Sequence, residues 1–254
     1  AATAAAELLK SGNIAMVGSA NSSVEEQFFY KAIAERSGAK VSLVSHRGDG
    51  DGLLQSADRT PHLRGALVTG LISELPSENL EALAGDINSG AVKTILAVNE
   101  DLTELGISKD VLAKAKVIYV GSHANRTSEV ANIVLPSLTV FEKDGSFINQ
   151  SFRIQRFKAA VPGPRGVQSD FMVLEKIAAA LAGEKATAIT IDSVWERMTA
   201  TIDQLDDSLR WHSLPEEGVA LDATAFLNLG FVETKNLKYD PVAFKEAHAA
   251  LAEP

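Results

Sequence analysis

The feature that most constrains the fold is an alternation of short apolar runs with segments of helical spacing, from the N-terminus to about residue 183. Each apolar run ends at Gly, Pro or a polar residue, as buried parallel strands do. This order predicts an α/β fold, a doubly wound and mostly parallel sheet of Rossmann-like, three-layer α/β/α architecture. The predicted strands cover residues 13–18, 41–44, 94–98, 117–121 and 133–136, the last of these being the final strand.

The first predicted helix carries signals at both ends. Ser22 and Ser23 offer capping oxygens, and Glu25 and Glu26 follow them at the spacing of a capping box. Gly38 ends the pattern, because glycine is the usual residue just beyond a helix. Further helices are predicted at residues 77–87, 111–115, 127–131 and 170–181, whereas residues 66–70 are compatible with a strand or with the start of a helix.

The chain is predicted to divide near residue 183. A composition shift at residues 183–188 indicates a linker between an α/β domain (1–183) and a mainly helical or irregular C-terminal appendage (184–254), with helices at 193–205 and 242–251. Trp195 has helical spacing with Met198 and Ile202, which favours a place in the core. Trp211, beside His212, is a candidate interface anchor.

Bulk composition excludes several classes of function. A net charge of −9 and the lack of a basic stripe argue against nucleic acid as a partner. No apolar run reaches the eighteen or so residues of a membrane span, so no direct membrane insertion is expected. The absence of cysteine removes disulfides, thiolate catalysis and iron–sulfur ligation from this chain. The five histidines show no zinc-binding spacing, and no metal site is predicted.

The segment from Gly18 to Ser22 lies where a Rossmann domain binds phosphate, between a strand end and a helix N-terminus. Ala20 and Ser23 occupy the places of the second and third glycines of a dinucleotide-binding motif, and their side chains would obstruct a pyrophosphate. Helix capping is therefore favoured over nucleotide binding.

Two charged segments receive structural interpretations. The sequence DGDG at 49–52, within a predicted long loop at 45–65, lacks the later ligands of a calcium loop and is typical of turns. A loop of that length is usually functional or part of an interface. The run EKD at 142–144 is predicted to form a solvated bend, rather than an acid–base site, because three adjacent charges in a turn point in different directions.

The most specific string is ANIVLP at 131–136, followed by EKDGSFIN at 142–149 and RIQR at 153–156. It resembles the molybdopterin-oxidoreductase fold, in the version found in the large iron–sulfur (G) subunit of NADH:quinone oxidoreductase, respiratory complex I. Asn132 stands where that family usually has Asp, and Phe152 where it usually has Gly. The loop that begins HRGDGD at residue 46 is similar to one in some bacterial G subunits.

The resemblance implies a non-catalytic scaffold, part of a G subunit, that packs against other peripheral-arm subunits of complex I on the cytoplasmic side of the membrane. The full-length subunit would hold iron–sulfur clusters, but this chain would hold no cofactor and no catalytic residue. Because the first residue is Ala, we expect the chain to be a piece of something longer. The alternatives are the C-terminal half of a molybdopterin-dependent formate dehydrogenase or nitrate reductase, and a free-standing nucleotide-binding domain.

The same resemblance gives a secondary interpretation to several polar residues. In the molybdenum enzymes, residues around the corresponding segment help to hold the pterin. The candidates for such contact are Thr127, Asn132, Asn149 and Arg153, with helix capping as the plainer interpretation of Thr127 and its neighbours Ser128 and Glu129.

Overall fold

The computed structural model describes residues 1–50, 56–60, 62–76 and 80–231. Its centre is a five-stranded sheet in which every neighbouring pair is parallel; the second strand along the chain lies at one edge, followed by the first, third, fourth and fifth. All five strands match the strands predicted from the apolar runs. Their bounds are Ile14–Ser19 (β1), Lys40–Val44 (β2), Thr94–Val98 (β3), Lys116–Gly121 (β4) and Ile133–Pro136 (β5).

Helices cover both faces of this sheet, so the doubly wound, three-layer prediction is confirmed. On one face, Met16, Leu96 and Ile118 pack with buried residues of the helices at 2–9, 24–37 and 170–182; on the other, Val17 and Ile95 pack with residues of the helices at 81–89 and 109–112. The helices are Ala2–Leu9 (α1), Val24–Ser37 (α2), Leu63–Val68 (α3), Glu81–Ser89 (α4), Lys109–Leu112 (α5), Arg126–Val130 (α6), Asp170–Ala182 (α7) and Ile191–Thr199 (α8).

The ends of α2 form as predicted. The Ser23 side chain accepts the N–H of Glu26 and the Glu26 carboxylate accepts the N–H of Ser23, which is a complete capping box. Gly38 follows the helix with φ at +67°, in the left-handed region that glycine enters without steric cost. Local sequence signals therefore determine where this helix begins and ends.

A second sheet was not predicted, and the expectation that residues 133–136 form the last strand is wrong. Its three antiparallel strands are Gly145–Ile148 (β6), Arg153–Phe157 (β7) and Val219–Ala220 (β8). A tight turn joins β6 to β7, and Phe152 in that turn has φ at +54°. Because β8 is only two residues long and lies more than sixty residues after its partner strand β7, no local sequence pattern predicts it.

Several predicted bounds differ from the observed ones. Residues 63–68 are helical, which settles the open choice at 66–70 and shortens the predicted loop at 45–65. The helix predicted at 193–205 ends at Thr199, and residues 202 and 205 are buried in turns instead. The helix predicted at 242–251 lies outside the described residues.

Residues after 183 share the core of the main sheet. Trp195 and Met198 of α8 are fully buried in the same apolar cluster as Met16 and Leu96, which confirms the core interpretation of Trp195. Trp211 is not an interface anchor: it is 7% exposed, and its indole Nε1 donates to the Gly145 carbonyl at 2.9 Å. The division of the chain at residue 183 stays a prediction.

The outer strand β5 forms one border of the parallel sheet. It pairs with β4 through residues 133–136, and Val134 on it is half-exposed. Immediately after the strand, Ser137 forms an isolated parallel bridge with Gln168. The bridge between Ser137 and Gln168 therefore covers this edge of the sheet immediately after the end of β5.

Candidate functional site

The site lies where the winding of the sheet reverses. From β1 the chain proceeds to β2 on one side, and β3, β4 and β5 follow on the other side. In open α/β sheets, ligands bind in the crevice that this reversal opens at the carboxyl ends of the strands. A cavity of about 350 Å³ occupies that place here, lined by Ser19 at the end of β1, by Asn99 and Glu100 after β3, and by Ser122 and Asn125 after β4.

The backbone leaves β3 in an unusual conformation. Asn99 has φ at +58°, a left-handed value that few residues other than glycine adopt. Its N–H donates to the Val120 carbonyl at 2.8 Å, and its side-chain Nδ2 donates to Asp170 Oδ2 at 2.9 Å. These contacts hold the strained residue in place at the cavity wall.

Lys143 places a buried cation between two carboxylates at this cavity. Its Nζ lies 2.5 Å from Glu26 Oε1 and 2.7 Å from Asp170 Oδ2. The Lys143 side chain is only 8% exposed, and both carboxylates are fully buried. The prediction of a solvated bend at residues 142–144 is therefore wrong for Lys143. We call Glu26, Lys143 and Asp170 the carboxylate–lysine cluster.

The ionisation of this cluster is shifted. Burial raises the pKa of Glu26 to about 7, and the charge of Asp170 adds to the increase, although Lys143 opposes it. Burial alone disfavours the ammonium of Lys143, but the two carboxylates raise its pKa above the ordinary lysine value. Lys143 is therefore charged at neutral pH, while Glu26 lies close to half-protonation.

A second acidic group faces the cavity at Glu100. The Glu100 residue is 7% exposed, and its carboxylate lies 3.6 Å from Nε2 of His46. Burial raises the pKa of Glu100, against opposing hydrogen bonds from Ser19 and His46 and the opposing charge of His46. The cavity is thus lined by the carboxylates of Glu26 and Glu100. Lys143, which also lines it, is already bonded to the carboxylates of Glu26 and Asp170.

The segment from Gly18 to Ser22 is occupied by its own contacts. Ser22 Oγ lies 2.7 Å from the hydroxyl of Tyr30, and Ser19 Oγ accepts the Asn21 N–H at 3.2 Å. A Cβ at Gly18 would lie 2.9 Å from the Tyr30 ring. Gly18 is therefore needed for the close packing of Tyr30, not for the approach of a ligand.

These residues do not fit a pyrophosphate, such as that of a pterin dinucleotide. A phosphate at the N-terminus of α2 would need free N–H groups and a positive field. The first turn of α2 instead carries Glu25 and Glu26, and Glu26 already accepts the N–H of Ser23. Adding Glu100 across the cavity increases the repulsion of an anion.

The four candidate pterin contacts make bonds within the chain. Thr127 donates to Asp101 at 2.9 Å, and the amide oxygen of Asn132 accepts the N–H of Val117 at 2.8 Å. Asn149 and Arg153 lie together at the β6–β7 turn, where the Asn149 side chain accepts the Arg153 N–H at 3.1 Å. None of the four lines the cavity between Ser19, Asn99 and Ser122, which we call the switch-point cavity because it lies where the strand order reverses.

The neighbouring polar residues behave as caps. Asn125 and Ser128 form a reciprocal capping box at the start of α6, so capping is confirmed for Ser128, whereas Thr127 bonds to Asp101 and Glu129 pairs with Lys109. Among the described residues, no group of three or more His, Cys, Asp or Glu side chains could hold a metal ion. Asp51 and Gly52 of the DGDG sequence lie outside those residues. The same ranges contain no helix with both the length and the apolar content that a membrane span requires.

Sequence reasoning missed the carboxylate–lysine cluster as a unit. Lys143 meets a carboxylate 117 residues earlier in the chain and another 27 residues later. No spacing rule relates these positions, because two separate helices and a turn bring them together. The one local signal was the capping-box position of Glu26.

Comparison with known proteins gives three informative relatives. The alpha subunit of an F420-dependent formate dehydrogenase from Methanococcus maripaludis is 30% identical over 140 residues, which cover 50% of this chain and 20% of that protein. The mitochondrial NADH-ubiquinone oxidoreductase 78 kDa subunit of Neurospora crassa is 32% identical over 78 residues, covering 31% of this chain and 10% of that subunit. The assimilatory nitrate reductase of Haloferax mediterranei is 26% identical over 114 residues, which cover 44% of this chain and 16% of that protein.

The chain therefore matches only a fifth or less of the length of these relatives. A family model, by contrast, matches most of the chain, from residue 2 to residue 180. The matched region contains the whole parallel sheet, the carboxylate–lysine cluster and the polar string from residue 131. On this evidence the chain belongs to the molybdopterin oxidoreductase family.

Proposed function

We propose that this chain is a non-catalytic scaffold within the large iron–sulfur (G) subunit of NADH:quinone oxidoreductase. The observation that carries the proposal is the acidic switch-point cavity. Glu26 and Glu100 face the place where a phosphate-bearing cofactor would lie, and the nearby Lys143 is already bonded to two carboxylates. A domain that has lost its cofactor can fill that crevice with its own ion pairs, since no anion has to be accommodated.

Two further observations support this proposal. The similarity to the 78 kDa subunits of Neurospora crassa and Candida albicans comes from proteins whose names place them in NADH-ubiquinone oxidoreductase. The chain also has no cysteine, so it cannot hold an iron–sulfur cluster itself. We propose that the clusters belong to other parts of the full-length subunit, and that the subunit lies on the cytoplasmic side of the membrane beside other peripheral-arm subunits.

The second candidate is a portion of a molybdopterin-dependent formate dehydrogenase or nitrate reductase. Its supporting observation is the match to the formate dehydrogenase alpha subunit, which extends over 50% of this chain, compared with 31% for the 78 kDa subunit. Under this candidate, a pterin would have to bind despite the carboxylates at the crevice.

Cofactor content separates the two candidates. The chain would be produced in a host that makes molybdopterin cofactors, purified without chelators, and analysed by inductively coupled plasma mass spectrometry and by fluorescence of oxidised pterin. We expect no stoichiometric molybdenum, iron or pterin, while an intact formate dehydrogenase produced in the same host serves as the loaded control. Stoichiometric molybdenum and pterin would favour the second candidate.

Membership of the complex is tested separately. A tagged copy of the parent protein would be solubilised from native membranes and resolved on a native gel stained for NADH dehydrogenase activity. We expect the tag to migrate with that activity. Migration with formate- or nitrate-dependent activity would contradict the proposal.

A further inference from the structure

The carboxylate–lysine cluster does not balance its own charge. If Glu26, Lys143 and Asp170 are all ionised, one ammonium faces two carboxylates and the cluster carries one uncompensated negative charge. All three side chains are at least nine-tenths buried. An uncompensated charge in such a place is costly, and a protein removes the cost by binding a proton or a second cation.

No second cation reaches the cluster among the described residues. The remaining hydrogen bonds to the two carboxylates come from neutral donors, namely the Ser23 N–H to Glu26 and the Asn99 amide to Asp170. Oδ1 of Asp170 is buried and has no hydrogen-bond partner within the described part of the chain. The cluster therefore has an unused acceptor, Asp170 Oδ1, and within the described residues no cation besides Lys143 balances its two carboxylates.

None of the ionisable groups that face the cluster balances its charge, and the two acidic ones, Glu25 and Glu100, add to the imbalance. On α2 itself, Glu25 is a buried carboxylate, and Tyr30 is a buried phenol whose pKa is raised by burial and by Glu26. Glu100 stands after β3, where His46 contacts it rather than the cluster. Across the cavity are Tyr119, which is neutral at pH 7 with its pKa raised by burial, and His123.

Glu25 cannot relieve the imbalance, because its own oxygens are already used. They accept the N–H and the hydroxyl of Ser146, at 3.1 and 2.7 Å, and the indole N–H of Trp195 at 2.8 Å. The adjacent Glu26 has one backbone donor and the shared lysine, and it also lines the cavity.

We infer that Glu26, Asp170 and Lys143 form a buried proton-binding site, in which the two carboxylates take up one exchangeable proton that reaches them through the switch-point cavity. The step is a proton transfer alone: hydronium or a buffer acid in solvent gives up a proton, water in the cavity relays it to a Glu26 oxygen, and water or the conjugate buffer base remains in solvent. The raised pKa of Glu26 agrees with this role. The site needs no cofactor and goes beyond the scaffold function proposed above.

The test is a carbon-13 NMR titration of the Glu and Asp carboxyl groups in the full chain. In the wild-type protein we expect one carboxyl to titrate with a midpoint near pH 7. That signal should be lost in Glu26→Gln, a variant whose amide can still form the capping box. Glu196→Gln, which changes an exposed glutamate, should retain it. Glu100→Gln should also retain it, although Glu100 has a raised pKa of its own.

Two further variants test whether Asp170 and Lys143 control the titration of Glu26, as the inference requires, or whether burial alone sets it. Asp170→Asn removes a like charge, so the midpoint should fall by about one pH unit or more. Lys143→Met removes the favourable ammonium, so the midpoint should rise. If Lys143→Met does not fold, the wild-type, Glu26→Gln and Asp170→Asn titrations still decide.

Three results would overturn the inference. The first is that every carboxyl of the wild-type protein titrates in the ordinary range of exposed Asp and Glu. The second is that a neutral-range signal survives Glu26→Gln, which would assign the proton elsewhere. The third is that Asp170→Asn leaves the midpoint unchanged, which would show that the two carboxylates do not share the proton.

Discussion

The indole Nε1 of Trp195 donates a 2.8 Å hydrogen bond to Oε1 of Glu25, which lies 170 residues earlier in the chain. Both side chains are fully buried. The bond joins α2 to α8, and the same carboxylate also accepts two bonds from Ser146 on β6. One side chain thus connects the first third of the chain, the small antiparallel sheet and the segment after residue 183.

Trp195→Phe should lower the free energy of unfolding by about 1–3 kcal/mol, because it removes one of the three hydrogen bonds that the buried Glu25 carboxylate accepts. Urea denaturation monitored by circular dichroism measures the change. A double-mutant cycle with Glu25→Gln isolates the bond. If the losses of the two single variants add up to the loss of the double variant, the coupling energy is zero and the indole contributes through packing alone.

Gly218→Ala should lower the free energy of unfolding by about 2–5 kcal/mol, from left-handed strain and overpacking together. Gly218 has φ at +74°, and a Cβ there would lie 2.3 Å from the backbone oxygen of Ile154. Gly85→Ala is the matched control, because Gly85 is an exposed helical residue with nothing within 4 Å of the added Cβ. The control should stabilise the protein by about 1 kcal/mol. Similar effects of both variants in urea denaturation would contradict this account.

Ser23→Ala should destabilise the protein by about 1 kcal/mol, because the N–H of Glu26 loses its capping oxygen. Ser23→Gly should cost only a few tenths of a kcal/mol, since glycine is tolerated at this position without a side-chain bond. Thermal unfolding of the three proteins under one buffer condition gives the comparison. A larger loss for Gly than for Ala would indicate that packing of the Ser23 Cβ, rather than the cap, decides the effect.

Glu26 should make stability fall as pH rises. Its pKa is raised in the folded protein from an ordinary 4.5 to about 7, so the folded state holds the proton in a range where the unfolded chain has released it. The contribution of Glu26 is present below pH 4.5 and is lost as pH rises to about 7, by on the order of 3 kcal/mol.

The measurement is the free energy of unfolding of Glu26→Gln relative to the wild type, taken at intervals from pH 4.5 to pH 8. The free energy of unfolding of Glu26→Gln should increase relative to that of the wild type as pH rises across this range. The difference between Glu196→Gln and the wild type should stay constant. A pH-independent difference for Glu26→Gln would mean that the carboxyl does not change its protonation on unfolding.

The parallel sheet could be predicted because its signals are local. Each strand is an apolar run with a clear end, and the ends of α2 are determined by Ser23, Glu26 and Gly38 within the helix itself. The motif at residue 131 also identified the family, because several residue types recur there at fixed spacing. Such features need no knowledge of distant contacts.

The cavity chemistry could not be predicted because it depends on contacts between distant segments. A lysine in a charged turn is normally solvated, and only the arrival of α2 and α7 beside Lys143 buries it. Trp211 was misassigned for the same reason, since its hydrogen-bond partner, the carbonyl of Gly145, lies 66 residues away. The two-residue strand β8 is defined only by its pairing with β7.

The border of the parallel sheet at β5 has a consequence for self-association. An open strand edge invites the addition of a strand from another molecule, especially where a half-exposed apolar residue such as Val134 is present. Here the strand is four residues long and ends at Pro136, which has no N–H to donate, and Ser137 is already bridged to Gln168. An incoming strand would therefore meet no N–H at Pro136 and an already bridged residue at Ser137, which disfavours a continuous ladder along this edge.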